Sequence, residues 1–141
     1  MSNIILIIED NPLNLELITD LLEVNHFVVC QAQTAEEGLR LAREASPDLI
    51  LMDLSLPGMD GLAATRALKA NPATSHLPVI ALTAHAMRGD KELALSAGCD
   101  GYLSKPIDTR TFPAKVAELL RAARPPLQVP SSAPDLEPVK N

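Results

Sequence analysis

The stretch that decides the fold is residues 48–58, which read Asp48-Leu49-Ile50-Leu51-Met52-Asp53-Leu54-Ser55-Leu56-Pro57-Gly58. An apolar run ends on one carboxylate, Asp53, and the chain then turns through Pro57 and Gly58. Such a run is typical of a strand buried on both faces within a parallel sheet. Asp53 would lie at its carboxyl end, where open α/β sheets place their ligand sites. A strand-ending aspartate that only opens a turn is the alternative, and the rest of the chain must decide.

Composition narrows the class of protein. The 141 residues suffice for one domain, and 47% hydrophobic with only 2% aromatic residues indicates an aliphatic core. The net charge of −6, without a Lys/Arg cluster, argues against a nucleic-acid partner. The run Ile4–Ile8 is too short to span a membrane, and the N-terminus lacks signal-peptide features. We therefore expect a cytoplasmic protein without a membrane partner, in which Cys30 and Cys99 are buried reduced thiols.

Apolar segments with strand and helix periodicity alternate five times along the chain. The predicted strands are Ile4–Ile8, Phe27–Gln31, the segment ending at Asp53, Val79–Leu82 and Gly101–Ser104, and the predicted helices span about 12–24, 34–45, 62–70, 86–97 and 108–121. Asn11 is a plausible cap of the first helix, and Thr34 with Glu37 forms a capping-box pattern at the second. This alternation predicts a parallel sheet with helices on both faces.

Prolines mark two features of the C-terminal part. Pro113 is awkward inside the last predicted helix, for which Asp108 is a candidate cap. That helix should therefore start near Phe112 or have a distorted first turn. Five further prolines punctuate residues 124–141, which predicts a folded domain at 1–123 followed by a disordered tail.

Polar residues follow the other strands as Asp53 follows the third. Glu9 and Asp10 end the first, Thr83 ends the fourth and Lys105 ends the fifth, so all should meet at one sheet edge. Crowded carboxylates need a cation, and Mg²⁺ prefers such oxygen ligands. A lysine and a hydroxyl suit a phosphoryl group. The pattern predicts a carboxylate nucleophile at a phosphoryl-acceptor site. Each residue also has an alternative when it is considered alone. Glu9 and Asp10 could be an ordinary acidic helix start, Thr83 a helix cap, and Lys105 a solvated surface lysine.

Together these residues resemble a known family. Glu9-Asp10, Asp53, Thr83-Ala84 and Lys105-Pro106 match the pattern of the receiver domain of two-component response regulators, over about residues 3–120. The loops at 56–61 and 98–102 are similar too, and the stretches 82–87 and 104–107 resemble stand-alone cell-cycle regulators and the receivers of hybrid histidine kinases. The resemblance implies a flavodoxin-like, doubly wound (βα)5 fold whose five-stranded parallel sheet has the order 2-1-3-4-5.

The resemblance also implies roles for the acidic residues. Asp53 would be phosphorylated by a histidine kinase or a histidine phosphotransfer protein. Asp10, Asp53 and the backbone carbonyl of Ser55 would bind Mg²⁺ directly, and Glu9 would contribute indirectly, through water. Ser55 and His85 would tune the lifetime of the phosphoryl group, although His85 could equally be a surface residue near a helix start.

The remaining site residues would form a switch by the same resemblance. Lys105 would pair with the phosphoryl group, and Thr83, next to Ala84, would move to hydrogen-bond it. Tyr102 would then rotate inward and alter the face formed by the fourth helix, fifth strand and fifth helix, where a downstream protein target would bind. An ordinary edge-strand aromatic is the alternative for Tyr102.

We expect a single-domain regulator without an output module, and the early first strand after Met1 suggests a complete small protein. Excess apolar residues on the first helix, Leu13 and Leu17, could dock a phosphotransfer helix bundle.

Two other functions remain open. A haloacid-dehalogenase-like phosphohydrolase would want a second aspartate where this chain has Ser55. A pseudo-receiver scaffold would bind partners without being phosphorylated.

Overall fold

The computed structural model describes residues 3–54, 60–84 and 89–123. Its elements are β1 (Ile4–Ile8), α1 (Pro12–Glu23), β2 (Val28–Ala32), α2 (Ala35–Glu44), β3 (Leu49–Asp53), α3 (Gly61–Ala70), β4 (Val79–Thr83), α4 (Asp90–Ala97), β5 (Gly101–Ser104) and α5 (Phe112–Ala123). The five strands are parallel in the order β2-β1-β3-β4-β5. This confirms the predicted flavodoxin-like fold. Ser55, His85 and the tail at 124–141 lie outside the described residues.

The strand that ends at Asp53 occupies the centre of the sheet. All five residues of β3 are buried, and β1 and β4 flank it. The register pairs Ile8 with Met52 and Asp53 with Leu82. Because neighbouring parallel strands end at nearly the same level, the residues that follow β1, β3 and β4 emerge together at one edge. The β5 strand lies at one side of the sheet.

Two apolar layers cover the faces of the sheet. Strand residues alternate between them, as the two-residue period of a strand requires. One layer joins the strands to α2, α3 and α4 through residues such as Ala35, Leu68 and Ala94. The other joins them to α1 and α5 through residues such as Ile18 and Val116. Burial on both faces explains why β1, β3 and β4 are almost continuously apolar.

Side-chain caps fix the starts of the first two helices. Asn11 Oδ1 accepts hydrogen bonds from the backbone N–H groups of Leu13 (2.9 Å) and Asn14 (3.1 Å), which confirms the predicted cap. Thr34 Oγ1 accepts from the N–H of Glu37 at 3.1 Å. Glu37 Oε1 accepts a hydrogen bond from the N–H of Gln33 at 3.2 Å. In a regular capping box the donor is the N–H of the cap residue itself, here Thr34, so the reciprocal bond falls one residue earlier than usual.

The last two helices, α4 and α5, begin at later residues than the predicted starts near 86 and 108. The α5 helix begins at Phe112, so Pro113 lies in its first turn, where a missing N–H costs little. Asp108 does not cap it, because Asp108 Oδ1 accepts from the N–H of Arg110 in the preceding turn. The α4 helix begins at Asp90 and not at Ala86, because Gly89 has a φ of 93°, outside the helical region. Ala86 itself lies outside the described residues.

The two thiols differ in burial. Both cysteines are free, but only Cys99 is buried and Cys30 is half-buried. The prediction of buried thiols is therefore correct for Cys99 and wrong for Cys30, because β2 is an edge strand with one open side. None of the helices in the described ranges has the length and apolar character needed to cross a bilayer.

Candidate functional site

Three carboxylates meet at the carboxyl edge of the sheet. Asp53 is the last residue of β3 and 2% exposed, and Glu9 directly follows β1 and is 1% exposed. Asp10, the next residue, is exposed. One carboxylate oxygen from each of the three lies within 4.8 Å of the others. The topology thus brings together acidic side chains that are remote in sequence, as predicted from the strand ends.

Lys105 provides the cation of this cluster. Its Nζ lies 3.0 Å from Glu9 Oε1 and 3.3 Å from Asp53 Oδ1, and its side chain is 17% exposed. The backbone N–H of Lys105 donates to the carbonyl of Thr83 at 2.8 Å, which fixes the end of β5 beside that of β4. The alternative of a solvated surface lysine is therefore wrong.

Glu9 is held by the loop that starts α1. Its Oε2 accepts a hydrogen bond from the backbone N–H of Asn11 at 3.2 Å. Because the Asn11 side chain also caps α1, one residue fixes both the helix start and the glutamate. The sequence pointed to the cap but not to this second contact. A buried Glu9 is not the ordinary acidic helix start considered as an alternative.

The electrostatics of the cluster favour an added cation. The pKa of Glu9 is raised from 4.5 to about 7, because burial and neighbouring Asp53 together outweigh the opposing effects of Lys105 and the Asn11 N–H. Burial alone would lower the pKa of Lys105, but Glu9 and Asp53 outweigh it, so that pKa is raised. One lysine thus faces three carboxylates, which are the hard oxygen ligands that Mg²⁺ prefers. The residues present fit such an ion. The predicted fourth ligand, the Ser55 carbonyl, lies outside the described residues.

Thr83 and Ala84 lie at the same edge. Thr83 ends β4 and is buried, and it does not cap α4, whose N-cap is Gly89. Ala84 is exposed and lines a pocket of about 480 Å³ together with Lys105. This pocket opens beside the carboxylates, so a group that reaches Lys105 also meets the backbone that follows β4.

Tyr102 lies farther from the carboxylates, on β5. It pairs in register with Ala81, is half-buried and packs against the apolar layer on the α4 side. The ammonium of Lys91, in the first turn of α4, lies 5.3 Å from the centre of its ring. The sequence contained no signal for this contact, because the two residues belong to different elements. The sequence predicted that Tyr102 lies close to the site, and in the structure it lies on β5 outside the carboxylate cluster.

Apolar side chains also line the 480 Å³ pocket, namely those of Leu17, Ile18 and Ile107. Leu17 is 39% exposed, and Leu13, one turn earlier on α1, is 76% exposed. The excess apolar surface predicted for the first helix is therefore real, and it borders the carboxylate site.

Gly61 allows α3 to lie directly on the backbone that follows β3. A Cβ atom at this position would collide with the carbonyl oxygen of Asp53 and lie 2.8 Å from Leu54 Cα. Asp60 caps the same helix, with its Oδ1 accepting from the N–H of Ala63 at 2.7 Å. The sequence showed Gly61 only as part of a family-like loop, and its packing role appears only in three dimensions.

Comparisons with known proteins agree with this geometry. A family model described as the response regulator receiver domain matches residues 5–117. The polar-differentiation response regulator DivK of Brucella ovis is 46% identical over 112 residues, which cover 79% of this chain and 91% of the relative.

Solved structures show the same similarity. The receiver domain of a sensor histidine kinase from Pseudomonas aeruginosa PAO1, with a magnesium ion coordinated in its active-site cleft, aligns with a TM-score of 0.76 and 36% identity over 86% of this chain and 97% of its own. A CheY-like receiver domain protein from Methanospirillum hungatei JF-1 aligns with a TM-score of 0.78 and 30% identity over 87% and 97%. Fold, site and relatives agree: this chain belongs to the response regulator receiver domain family, whose members are signalling proteins of two-component systems.

Proposed function

We propose that Asp53 accepts a phosphoryl group from a phosphohistidine on a histidine kinase or a histidine phosphotransfer protein. The observation that carries this proposal is the buried Asp53 carboxylate, which contacts Lys105 at the end of the central strand. Membership of the receiver family supports it. The output is then a change in protein binding, and phosphate can also pass onward in a relay.

This pair of side chains takes part directly in the transfer step. An Asp53 carboxylate oxygen attacks phosphorus, an acyl-phosphate P–O bond forms, and the P–N bond to the donor histidine breaks with its electron pair leaving on the imidazole. Lys105, already 3.3 Å from Asp53 Oδ1, neutralises the charge of the phosphoryl oxygens. The buried position of Asp53 restricts water around the acyl phosphate.

Glu9, Asp10 and Asp53 would hold a magnesium ion. Their oxygens lie close enough together for this, and the related Pseudomonas receiver carries Mg²⁺ in its active-site cleft. Bound there, the ion supplies positive charge that offsets the carboxylates and the incoming phosphoryl oxygens. A direct role for Glu9 or one through water fits its burial beside Asn11 equally well. The contribution of the Ser55 carbonyl stays a prediction.

The switch would run from the phosphoryl group to the face formed by α4, β5 and α5. Thr83 pairs in register with Ser104, and Tyr102 lies two residues earlier on the same side of β5. A threonine drawn toward the phosphoryl group leaves space on this side into which the tyrosine can turn. A downstream protein would then read the changed surface. The lifetime-tuning roles of Ser55 and His85 also remain predictions.

The partner that delivers phosphate would dock on α1. The partly exposed Leu17 lines the pocket that leads to Lys105, and the exposed Leu13 lies one turn earlier on the same helix. The Leu13→Gln, Leu17→Gln double variant should slow phosphotransfer from a phosphorylated histidine phosphotransfer protein, with labelling by acetyl phosphate unchanged. Val24→Gln is the control, because Val24 is 72% exposed at the opposite end of the helix. Equal transfer rates in all three proteins would refute docking on α1.

One comparison separates the proposed function from a hydrolase. Acetyl phosphate and a phosphate ester such as p-nitrophenyl phosphate are supplied in parallel with Mg²⁺, and phosphate release is followed. A phosphoacceptor takes up at most one phosphoryl group per chain and shows no sustained turnover of the ester. Sustained ester hydrolysis lost in Asp53→Asn would instead favour a phosphohydrolase.

A further inference from the structure

The contact between Lys91 and Tyr102 joins α4 to β5. The Lys91 ammonium lies 5.3 Å from the ring centre, within the range of a cation–π interaction. Lys91 itself is exposed, and Tyr102 is half-buried. The contact therefore ties a surface helix to a residue of the sheet.

The start of α4 gives this contact particular weight. A cation in the first turn of a helix is unfavourable, because it faces the positive end of the helix dipole. Gly89, the N-cap, supplies no side-chain hydrogen bond to that turn. The Tyr102 ring offers the Lys91 ammonium an electron-rich face in return. The contact therefore adds one tie between the first turn of α4 and β5.

The position of the ring links the contact to the carboxylate site. Tyr102 packs against the apolar layer that contains Ala81 and Ala94, on the side of the sheet where Thr83 also points. A cation–π contact needs the ammonium over the ring face and within about 6 Å of its centroid, so at 5.3 Å this contact depends on the ring keeping its present place. The cation–π contact belongs to the arrangement seen here and is weakened when the tyrosine turns inward.

We propose that Lys91 is a positioning residue that retains Tyr102 in its present place and so sets the balance between the unphosphorylated and phosphorylated conformations. The proposal rests on the function proposed above for Asp53 and Tyr102. It assigns to α4 a restraint on the switch, in addition to a place on the output face.

The size of the restraint follows from the exposure of Lys91. Exposed cation–π contacts shift an equilibrium by about two- to fivefold. By linkage, loss of a contact made only in the unphosphorylated conformation raises the apparent affinity for a phosphoryl mimic by up to the same factor. The effect should thus be modest and measurable.

The test uses Tyr102 as its own reporter, because it is the single tyrosine of the chain. The full chain is labelled with 3-fluorotyrosine and titrated with beryllofluoride, a phosphoryl mimic, in the presence of Mg²⁺ while the one ¹⁹F resonance is followed. Lys91→Gln removes the cation, and Lys91→Arg retains it. Arg43→Gln removes a charge from an exposed position on α2, which packs on β1 and β2 away from Tyr102, and serves as the control.

The expected result has two parts. Without beryllofluoride, the resonance shifts in Lys91→Gln but stays near the parental position in Lys91→Arg and Arg43→Gln. With beryllofluoride, the midpoint falls about two- to fivefold in Lys91→Gln alone. An unchanged midpoint in Lys91→Gln, with a normal transition in the parent, overturns the restraint and leaves the proposed function standing. If the parent shows no transition that Asp53→Asn abolishes, the proposed function fails and the restraint fails with it.

Discussion

The Lys105 ammonium lies 3.3 Å from Asp53 Oδ1, with the Asp53 side chain buried and the Lys105 side chain 17% exposed. The same ammonium is 3.0 Å from Glu9 Oε1, so it is shared between two buried carboxylates. A phosphoryl group on Asp53 would bring new oxygens to a cation that is already in place. The pair therefore links the stability of the resting protein to its capacity to accept phosphate.

Replacing Lys105 with methionine should destabilise the protein without Mg²⁺. Glu9 and Asp53 would be left buried without their cation, at a cost of roughly 1–3 kcal/mol in the free energy of unfolding. The loss should shrink when Mg²⁺ is added, because the ion replaces the missing charge. Urea unfolding with and without Mg²⁺ measures both effects. Lys115→Met, on an exposed face of α5, should change little, and an equal loss in both variants would contradict this account.

Stabilisation by Mg²⁺ should increase as the pH rises through about 7. The pKa of Glu9 is raised from 4.5 to about 7, so the protonated form is favoured in the folded, metal-free protein below that pH. The stability that this proton provides is lost as the pH rises through about 7, and the proton also competes with the metal ion. The rise in Tm caused by Mg²⁺ should be larger at about pH 8 than at about pH 6. This difference between the two pH values should diminish in Glu9→Gln. If the full difference persists in that variant, a group other than Glu9 causes it.

Gly61→Ala should damage both stability and labelling of Asp53. The new methyl group would meet backbone on two sides, the Asp53 carbonyl and Leu54 Cα, neither of which can rotate away. Overpacking of this kind costs about 1–3 kcal/mol, and a displaced nucleophile should slow labelling by acetyl phosphate by about tenfold or more. Gly101→Ala is the control, because its Cβ would face only the flexible ends of Ile80 and Leu119, at 3.2 and 3.5 Å. Parental labelling in Gly61→Ala would show that the close approach is unimportant.

His26→Gly should stabilise the protein. His26 follows α1 with a φ of 72°, in the left-handed region, where a side chain is strained and glycine is not. After the entropy that glycine loses on folding, the net gain should be about 0.5–1 kcal/mol. Urea unfolding measures it. The same replacement at His76, an exposed loop residue without a positive φ, should be neutral or slightly destabilising. A loss of stability at His26 would mean that its side chain has a role beyond the turn.

The features that could be predicted from the sequence are the strands, which follow from periodicity, and the site residues that lie at strand ends. Apolar runs placed all five strands to within a residue or so, and Asp53, Thr83 and Lys105 were found because each ends a strand. Contacts between elements could not be read in this way. Gly61 beside the Asp53 backbone and Lys91 over the Tyr102 ring depend on how helices pack on the sheet. The start of α4 was misplaced because the half-buried glycine at 89 gives little sign in a sequence of its positive φ.

The most direct test of the central claim is the intact mass of the protein after incubation with acetyl phosphate and Mg²⁺. We expect a single adduct with the mass of one phosphoryl group, absent in Asp53→Asn and formed much more slowly in Lys105→Met. Asp60→Asn should still form it, because Asp60 only caps α3. An adduct that persists in Asp53→Asn, or no adduct on the parent protein, would contradict the claim that Asp53 is the phosphoryl acceptor.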